Sequence, residues 1–128
     1  NKKTLHHDEM VSRMRTNDQQ VVFAAIEGSS CGRSIRGIAR YGIMNGAKGS
    51  QQRFGEVGLI VEDGFQGRGL GKQMILQLDK FARSRQLDGL IFYVLKDNKG
   101  MRGLIENVYP SAETSHDEDQ LCYKILFV

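Results

Sequence analysis

The chain reads as a mixed α/β fold, a mixed sheet with helices on its faces, and three observations carry that reading. Residues 20–27 and 34–44 have the make-up of two strands joined by the Gly28–Gly32 turn, an antiparallel pair. Residues 54–62 run as a third strand straight into a glycine-spaced turn that opens onto an amphipathic helix. Residues 89–95, Gly-Leu-Ile-Phe-Tyr-Val-Leu, are a nearly continuous apolar run after that helix, the pattern of a buried strand closing a βαβ crossover parallel to the third strand. At 128 residues the chain is long enough for one domain with its own core.

In chain order, Thr4 is read as the cap of a short helix with Met10, Val11 and Met14 on one face, stopped by Asn17-Asp18. The strand at 20–27 follows. In 34–44, Ile35, Gly37, Ala39, Tyr41 and Ile43 fall on one side, the period-2 signal of a strand. A polar loop from Asn45 to Arg53 leads to the third strand. The next helix is the clearest in the chain: Leu70, Met74, Ile75, Leu78, Phe81 and Ala82 recur at helical spacing, and Lys80, Arg83 and Arg85 sit towards the end where positive charge suits the helix dipole. A second, shorter helix is expected over Lys99–Asn107, weakened by Gly100 and Gly103, and a last strand over Leu121–Phe127. The acidic stretch Glu113, Asp117, Glu118 and Asp119 reads as a solvated hairpin loop.

With 40% hydrophobic and 26% charged residues the composition is that of a globular protein, and no apolar run is long enough to cross a bilayer or serve as a leading signal. A cytoplasmic setting without membrane partners is expected. The net charge of +3 is spread without interleaved aromatics, which argues against nucleic acid. Cys31 and Cys122 match no metal or disulfide framework and are expected to be reduced structural thiols.

The turn after the third strand is built to hold phosphate. Gly67, Gly69 and Gly71 let a ligand approach the main chain, the helix behind them presents unpaired N–H groups, and Arg68 and Lys72 add positive charge. Two familiar phosphate loops fail on spacing. A Walker A loop needs Gly where Gln66 stands and a hydroxyl where Gln73 stands, and a dinucleotide fingerprint needs Gly-x-Gly-x-x-Gly early in a βαβ unit.

The third pattern fits. Gln66-Gly67-Arg68-Gly69-Leu70-Gly71, with Val61 five residues upstream, resembles the Gln/Arg-x-x-Gly-x-Gly/Ala pyrophosphate loop of the GNAT acetyltransferase superfamily. The resemblance covers most of the chain from about residue 5 and is strongest over 54–101. Within that superfamily the chain looks most like the bacterial protein-lysine acetyltransferase branch: Glu56 stands ten residues before Gln66, and Val94-Leu95-Lys96-Asp97-Asn98-Lys99-Gly100-Met101 matches Val-Leu-x-x-Asn-x-x-Met.

The resemblance implies a GNAT-like, mostly antiparallel twisted sheet with a parallel βαβ splay. It also implies acetyl-CoA as co-substrate. The main chain of Leu59, Ile60 and Val61 would pair with the pantetheine arm like an added strand, and Gln66, Gly67, Arg68, Gly69, Leu70, Gly71 and Lys72 would hold the pyrophosphate. Asn98 and Met101 would contact the same molecule, although Asn after a strand is commonly a cap and Met101 suits core packing. The chemistry needs a neutral amine. A lysine with pKa near ~10.4 costs roughly 4 to 5 kcal/mol to deprotonate at pH 7, so a positioned base is useful, and Glu56 is the candidate. Partial burial would lift its pKa towards that task, while the bland alternative is a cross-strand ion pair with Arg36 or Arg40. Glu62 and Asp63 are read as solvated or turn-forming.

Departures matter too. Ile105 stands where many members carry a tyrosine general acid, so no general acid is assigned, and the nearby Tyr109 reads as a packed tyrosine. Members normally begin with a further strand and helix, so a fused N-terminal domain or homo-oligomer is expected to cover the exposed sheet. The leading function is acetyl transfer to a primary amine, with protein lysine favoured over a small amine. The rival from another class is a non-catalytic acyl-CoA sensor.

Overall fold

The computed structural model describes residues 10–17, 19–29, 32–46, 48–62 and 69–128. Its elements are β1 (Met10–Thr16), β2 (Gln20–Ser29), β3 (Gly32–Asn45), β4 (Arg53–Val61), α1 (Leu70–Ser84), β5 (Gly89–Leu95), α2 (Lys99–Val108), β6 (Glu113–His116) and β7 (Gln120–Leu126). The strands join in the order β1-β2-β3-β4-β5-β7-β6. Only β4 and β5 pair in parallel among the registers described, and the mixed sheet expected from the sequence is present.

The first element departs from expectation. The segment read as a helix around Met10–Met14 is β1, paired residue for residue with β2 from Met10↔Glu27 to Thr16↔Val21. A helix this short is marginal in water, whereas an adjacent strand offers partners to the backbone groups along one side of the segment. Asn17 does end the element as expected, by accepting the amides of Gln19 and Gln20 at 2.8 and 2.9 Å. Thr4 and Asp18 lie outside the described residues.

Two compact units make up the chain, one spanning the described residues of 1–41 and 58–78 and the other those of 42–57 and 79–128. In the first, Val21, Ala25, Ala39, Tyr41, Met74, Ile75 and Leu78 are buried. Gly37 of β3 is what lets the helix start close to the strand. A Cβ there would lie 2.9 Å from Met74 Sδ, 3.2 Å from the Ile60 carbonyl oxygen and 3.5 Å from Leu70 Cδ2. The β4 tip and the first turn of α1 therefore both converge on a position that holds no side chain.

In the second unit, β5 is the centre. Its ladder with β4 runs from Phe54↔Gly89 to Val57↔Phe92, and its ladder with β7 from Gly89↔Leu126 to Leu95↔Gln120. Alternation sends Leu90, Phe92 and Val94 to one face, where they are buried with Leu121, Tyr123 and Ile125. α2 and the residue after it pack on that face. Tyr123 donates its hydroxyl to Glu106 of α2 at 2.5 Å, and the Phe92 and Tyr109 rings lie 6.1 Å apart.

The last strand pair holds a smaller surprise. Glu113, expected in a loop, begins β6, which pairs with β7 from Glu113↔Lys124 to His116↔Leu121, while Asp117–Asp119 do form the connecting turn. All four residues of β6 are exposed, so no apolar pattern could have announced the strand.

α1 stops by a left-handed turn. Gln86 has φ 63°, with its amide bonded to Arg83 O at 3.0 Å and that of Leu87 to Ala82 O at 3.1 Å. Glycine is the residue that adopts this conformation without steric cost. Gln86→Gly is expected to raise the unfolding free energy by about 1 kcal/mol, read from urea denaturation.

Candidate active site

β4 carries the proposed base. Glu56 is exposed and stands opposite Ile91 in the parallel ladder, so its side chain shares the face of Ile91 and, one alternation further on, Tyr93. The partial burial expected for it is not found. Nor is the alternative, an ion pair with Arg36 or Arg40: the ion pairs among the described residues are Arg36–Glu27, Arg36–Glu62 and Arg83–Asp79, and Glu56 is in none of them.

Arg36 serves another purpose. From β3 it reaches Glu27 at 2.9 Å and Glu62 at 2.7 Å, and these two carboxylates, Glu27 first, hold its pKa above the ordinary arginine value. Glu62, expected to be solvated or turn-forming, is thus tied back to the sheet, and its amide also donates to Arg36 O at 2.8 Å. The pairing fastens the chain at the end of β4, immediately before the loop. Asp63 lies outside the described residues.

Of the residues expected to hold the cofactor, Gln66, Gly67 and Arg68 also lie outside the described residues. Gly69, where the helix begins, has φ 85°, and nothing among the described residues stands within 4 Å of where a Cβ would project. Leu70 is buried, whereas Lys72 is exposed, and the first turn of α1 carries no acidic residue. Amides in a first helical turn have no carbonyl one turn back, so Leu70, Gly71 and Lys72 present donors with no carboxylate of their own turn to compete for them. On β4, Ile60 is 72% exposed, while Leu59 and Val61 are half-buried.

Asn98 is the N-cap of α2, its Oδ1 accepting the Met101 amide at 3.1 Å. That leaves the side-chain amide nitrogen for any ligand. Met101 is half-buried on the first turn. Ile105 is fully buried, in keeping with its having no acid–base part.

Tyr109 is packed as expected. Its hydroxyl donates to Asp79 at 2.6 Å, and burial, then that carboxylate, pushes its pKa above the ordinary tyrosine range. A raised folded-state pKa means stability that is complete below the unfolded value near ~10 and lost as pH rises above it. Urea unfolding from about pH 9 to about pH 11 should show a shallower loss in Tyr109→Phe, by up to ~1.4 kcal/mol per pH unit.

Sequence reasoning missed Tyr93. It is 42% exposed, lies opposite Cys122 in the β5–β7 ladder, and its phenol is held above the usual pKa by desolvation first, then by the neighbouring Cys122 and the Glu56 charge. Its place in an apolar run read as buried hid it, and only the pairing of β4 with β5 brings its face beside that of Glu56. Cys122 is a free thiol, and Cys31 lies outside the described residues. Among the described residues no group of His, Cys, Asp and Glu could hold a metal ion. A separate hollow of about 420 Å³, lined by Val108, Tyr109, Pro110, Lys124 and Leu126 among others, includes neither Glu56 nor the glycine turn.

Comparison with known proteins bears on this arrangement. The sequence profile of the Acetyltransferase (GNAT) family matches residues 2–108. The fold is similar to that of the GNAT domain of S. lividans PAT, with a TM-score of 0.70, 21% identity, and 88% of this chain and 64% of that chain covered. It is also similar to Arabidopsis thaliana NAA60 in complex with a bisubstrate analogue, with a TM-score of 0.71, 14% identity and 88% and 78% covered. A third similar fold is Campylobacter jejuni N-acetyltransferase PseH in complex with acetyl coenzyme A, with a TM-score of 0.64, 16% identity and 88% and 71% covered. No curated protein sequence matches the chain significantly.

Proposed function

Since the chain belongs to the acetyltransferase (GNAT) family, and is therefore an acetyl-CoA-dependent N-acetyltransferase, we propose that its acceptor is a protein lysine and that Glu56 is the base that readies it. The observation that carries the second part is the exposed Glu56 carboxylate, engaged in no ion pair among the described residues. A carboxylate so placed can accept a proton from an arriving ammonium and pass it to water. Supporting the lysine acceptor is the double motif resemblance, Glu56 with the Gln66–Gly71 loop and Val94–Met101 in register.

Acetyl-CoA supplies the acetyl group as an activated thioester. The residues suit such a molecule: the main chain at Gly69 and the first-turn amides of Leu70, Gly71 and Lys72, with Gln66, Gly67 and Arg68 before them, would take the diphosphate. The main chain of Leu59, Ile60 and Val61 would take the pantetheine amides, and the Asn98 amide nitrogen and Met101 would line the arm. The neutral amine forms the new C–N bond as the C–S bond breaks, the electron pair leaving with sulfur. A coenzyme A thiolate is tolerable as a leaving group, so the role of general acid needs no residue at position 105.

A thiol-release assay with acetyl-CoA tests the proposal, run against lysine peptides, polyamines, amino acids and aminoglycosides. Turnover with lysine peptides, and mass-spectrometric acetylation at their Nζ, is expected. Turnover with small amines alone would end the protein-lysine reading, and binding of acetyl-CoA without transfer to any amine would favour the sensor.

A further inference from the structure

On the reading that Glu56 meets the amine, we propose that Tyr93 and Leu95 form the floor on which the acceptor arm lies, so that the chain selects a primary ammonium on an unbranched aliphatic stem. The register makes the case. Glu56 pairs with Ile91, and the alternation of β5 sets Ile91, Tyr93 and Leu95 along the same face, opposite to the one buried beneath α2. Tyr93 and Leu95 are 42% and 58% exposed, two large apolar side chains left open on the face of a carboxylate that is in no ion pair among the described residues. The Glu56 charge adds to the rise in the Tyr93 pKa, after desolvation and Cys122, as expected of two side chains on one face.

The chemistry of that strip names its occupant. An acid at one end favours a cation; an aromatic face attracts an ammonium and also packs against methylenes. A broad polar sugar amine would leave Tyr93 and Leu95 wetted and its own hydroxyls poorly matched, whereas a lysine-like arm can lay its methylenes on Tyr93 with its nitrogen towards Glu56 and its peptide end towards Leu95. Across the β5–β7 ladder, Cys122 stands opposite Tyr93, and Lys124 stands opposite Ile91 with its Nζ held over the Phe54 ring, 4.9 Å from the centroid.

The test uses methyl-, butyl- and hexylammonium as probes on the intact protein. NMR of ring-labelled tyrosine is expected to show Tyr93 shifting with each, with butylammonium binding at least about threefold more tightly than methylammonium. Equal affinity for the two, or an unmoved Tyr93 signal, overturns the floor. Kinetics give the second arm. Tyr93→Ala should raise KM for the amine about tenfold with KM for acetyl-CoA unchanged, and Tyr93→Phe should stay within about threefold of the parent. If Tyr93→Phe is as damaging as Tyr93→Ala and the loss falls on kcat, the hydroxyl and not the ring is at work and the proposal fails. Because Tyr93 is exposed, truncation should leave the fold intact, and Leu95→Ser gives an independent route to the same KM effect. Should Glu56→Gln retain full turnover while Tyr93 still responds to butylammonium, the base assignment falls and the floor stands.

Discussion

Glu56→Gln should lower kcat by roughly 10²-fold or more while leaving the affinity for coenzyme A and the unfolding midpoint near those of the parent. The side chain is exposed and has no ion pair among the described residues, so exchanging its carboxylate for an amide disturbs no packing. What changes is the acceptor of the proton. Glutamine cannot take one from an ammonium, and the small fraction of lysine already neutral at pH 7 must then carry the reaction. Two pH profiles would locate the effect: the parent's rate should level off as the medium becomes basic enough to deprotonate the amine unaided, and the variant should approach it there. Turnover unchanged at neutral pH would remove Glu56 from this role.

Gly89→Ala should be the most damaging single change to the fold. Gly89 begins β5 between Phe54 and Leu126, and a Cβ there would land on the Ile125 carbonyl oxygen, with the Ile125 carbonyl carbon 3.0 Å and Phe54 Cε1 3.1 Å away. The obstacle is backbone, so no rotamer change relieves it; β7 must move off β5. A loss of about 3 kcal/mol or more follows, a fall in Tm of roughly 10 °C, measurable by calorimetry. A variant as stable as the parent would mean that the β5–β7 ladder is less tightly drawn at this end than the geometry requires.

How far the sequence foretold these features depends on whether a residue's neighbours in sequence decide its state. The helix starting at Leu70 was legible because five of its apolar positions repeat on one face and are buried in the structure: Leu70, Met74, Ile75, Leu78 and Ala82. β5 was legible as an apolar run, and Asn98 was legible both ways, as a motif residue and as the cap it proves to be. β1 was not, because Met10, Val11 and Met14 suit a helical face as well as a strand, and only the pairing with β2 decides between them. The same holds at the site. The Glu56 position could be read from its distance to Gln66, but its solvent exposure and the arginine chosen by Glu62 depend on strands that meet across long sequence separations. Tyr93 emerged only when the β4–β5 register put its face beside that of Glu56.

The polar make-up of β6 carries a consequence for how the molecule keeps to itself. A strand at the margin of a sheet is an invitation to a stranger's backbone, and one four residues long offers a visitor few bonds to win. With Glu113 and His116 at its ends and every side chain in water, that margin gains nothing hydrophobic from a newcomer. It is a poor template for fibrous growth.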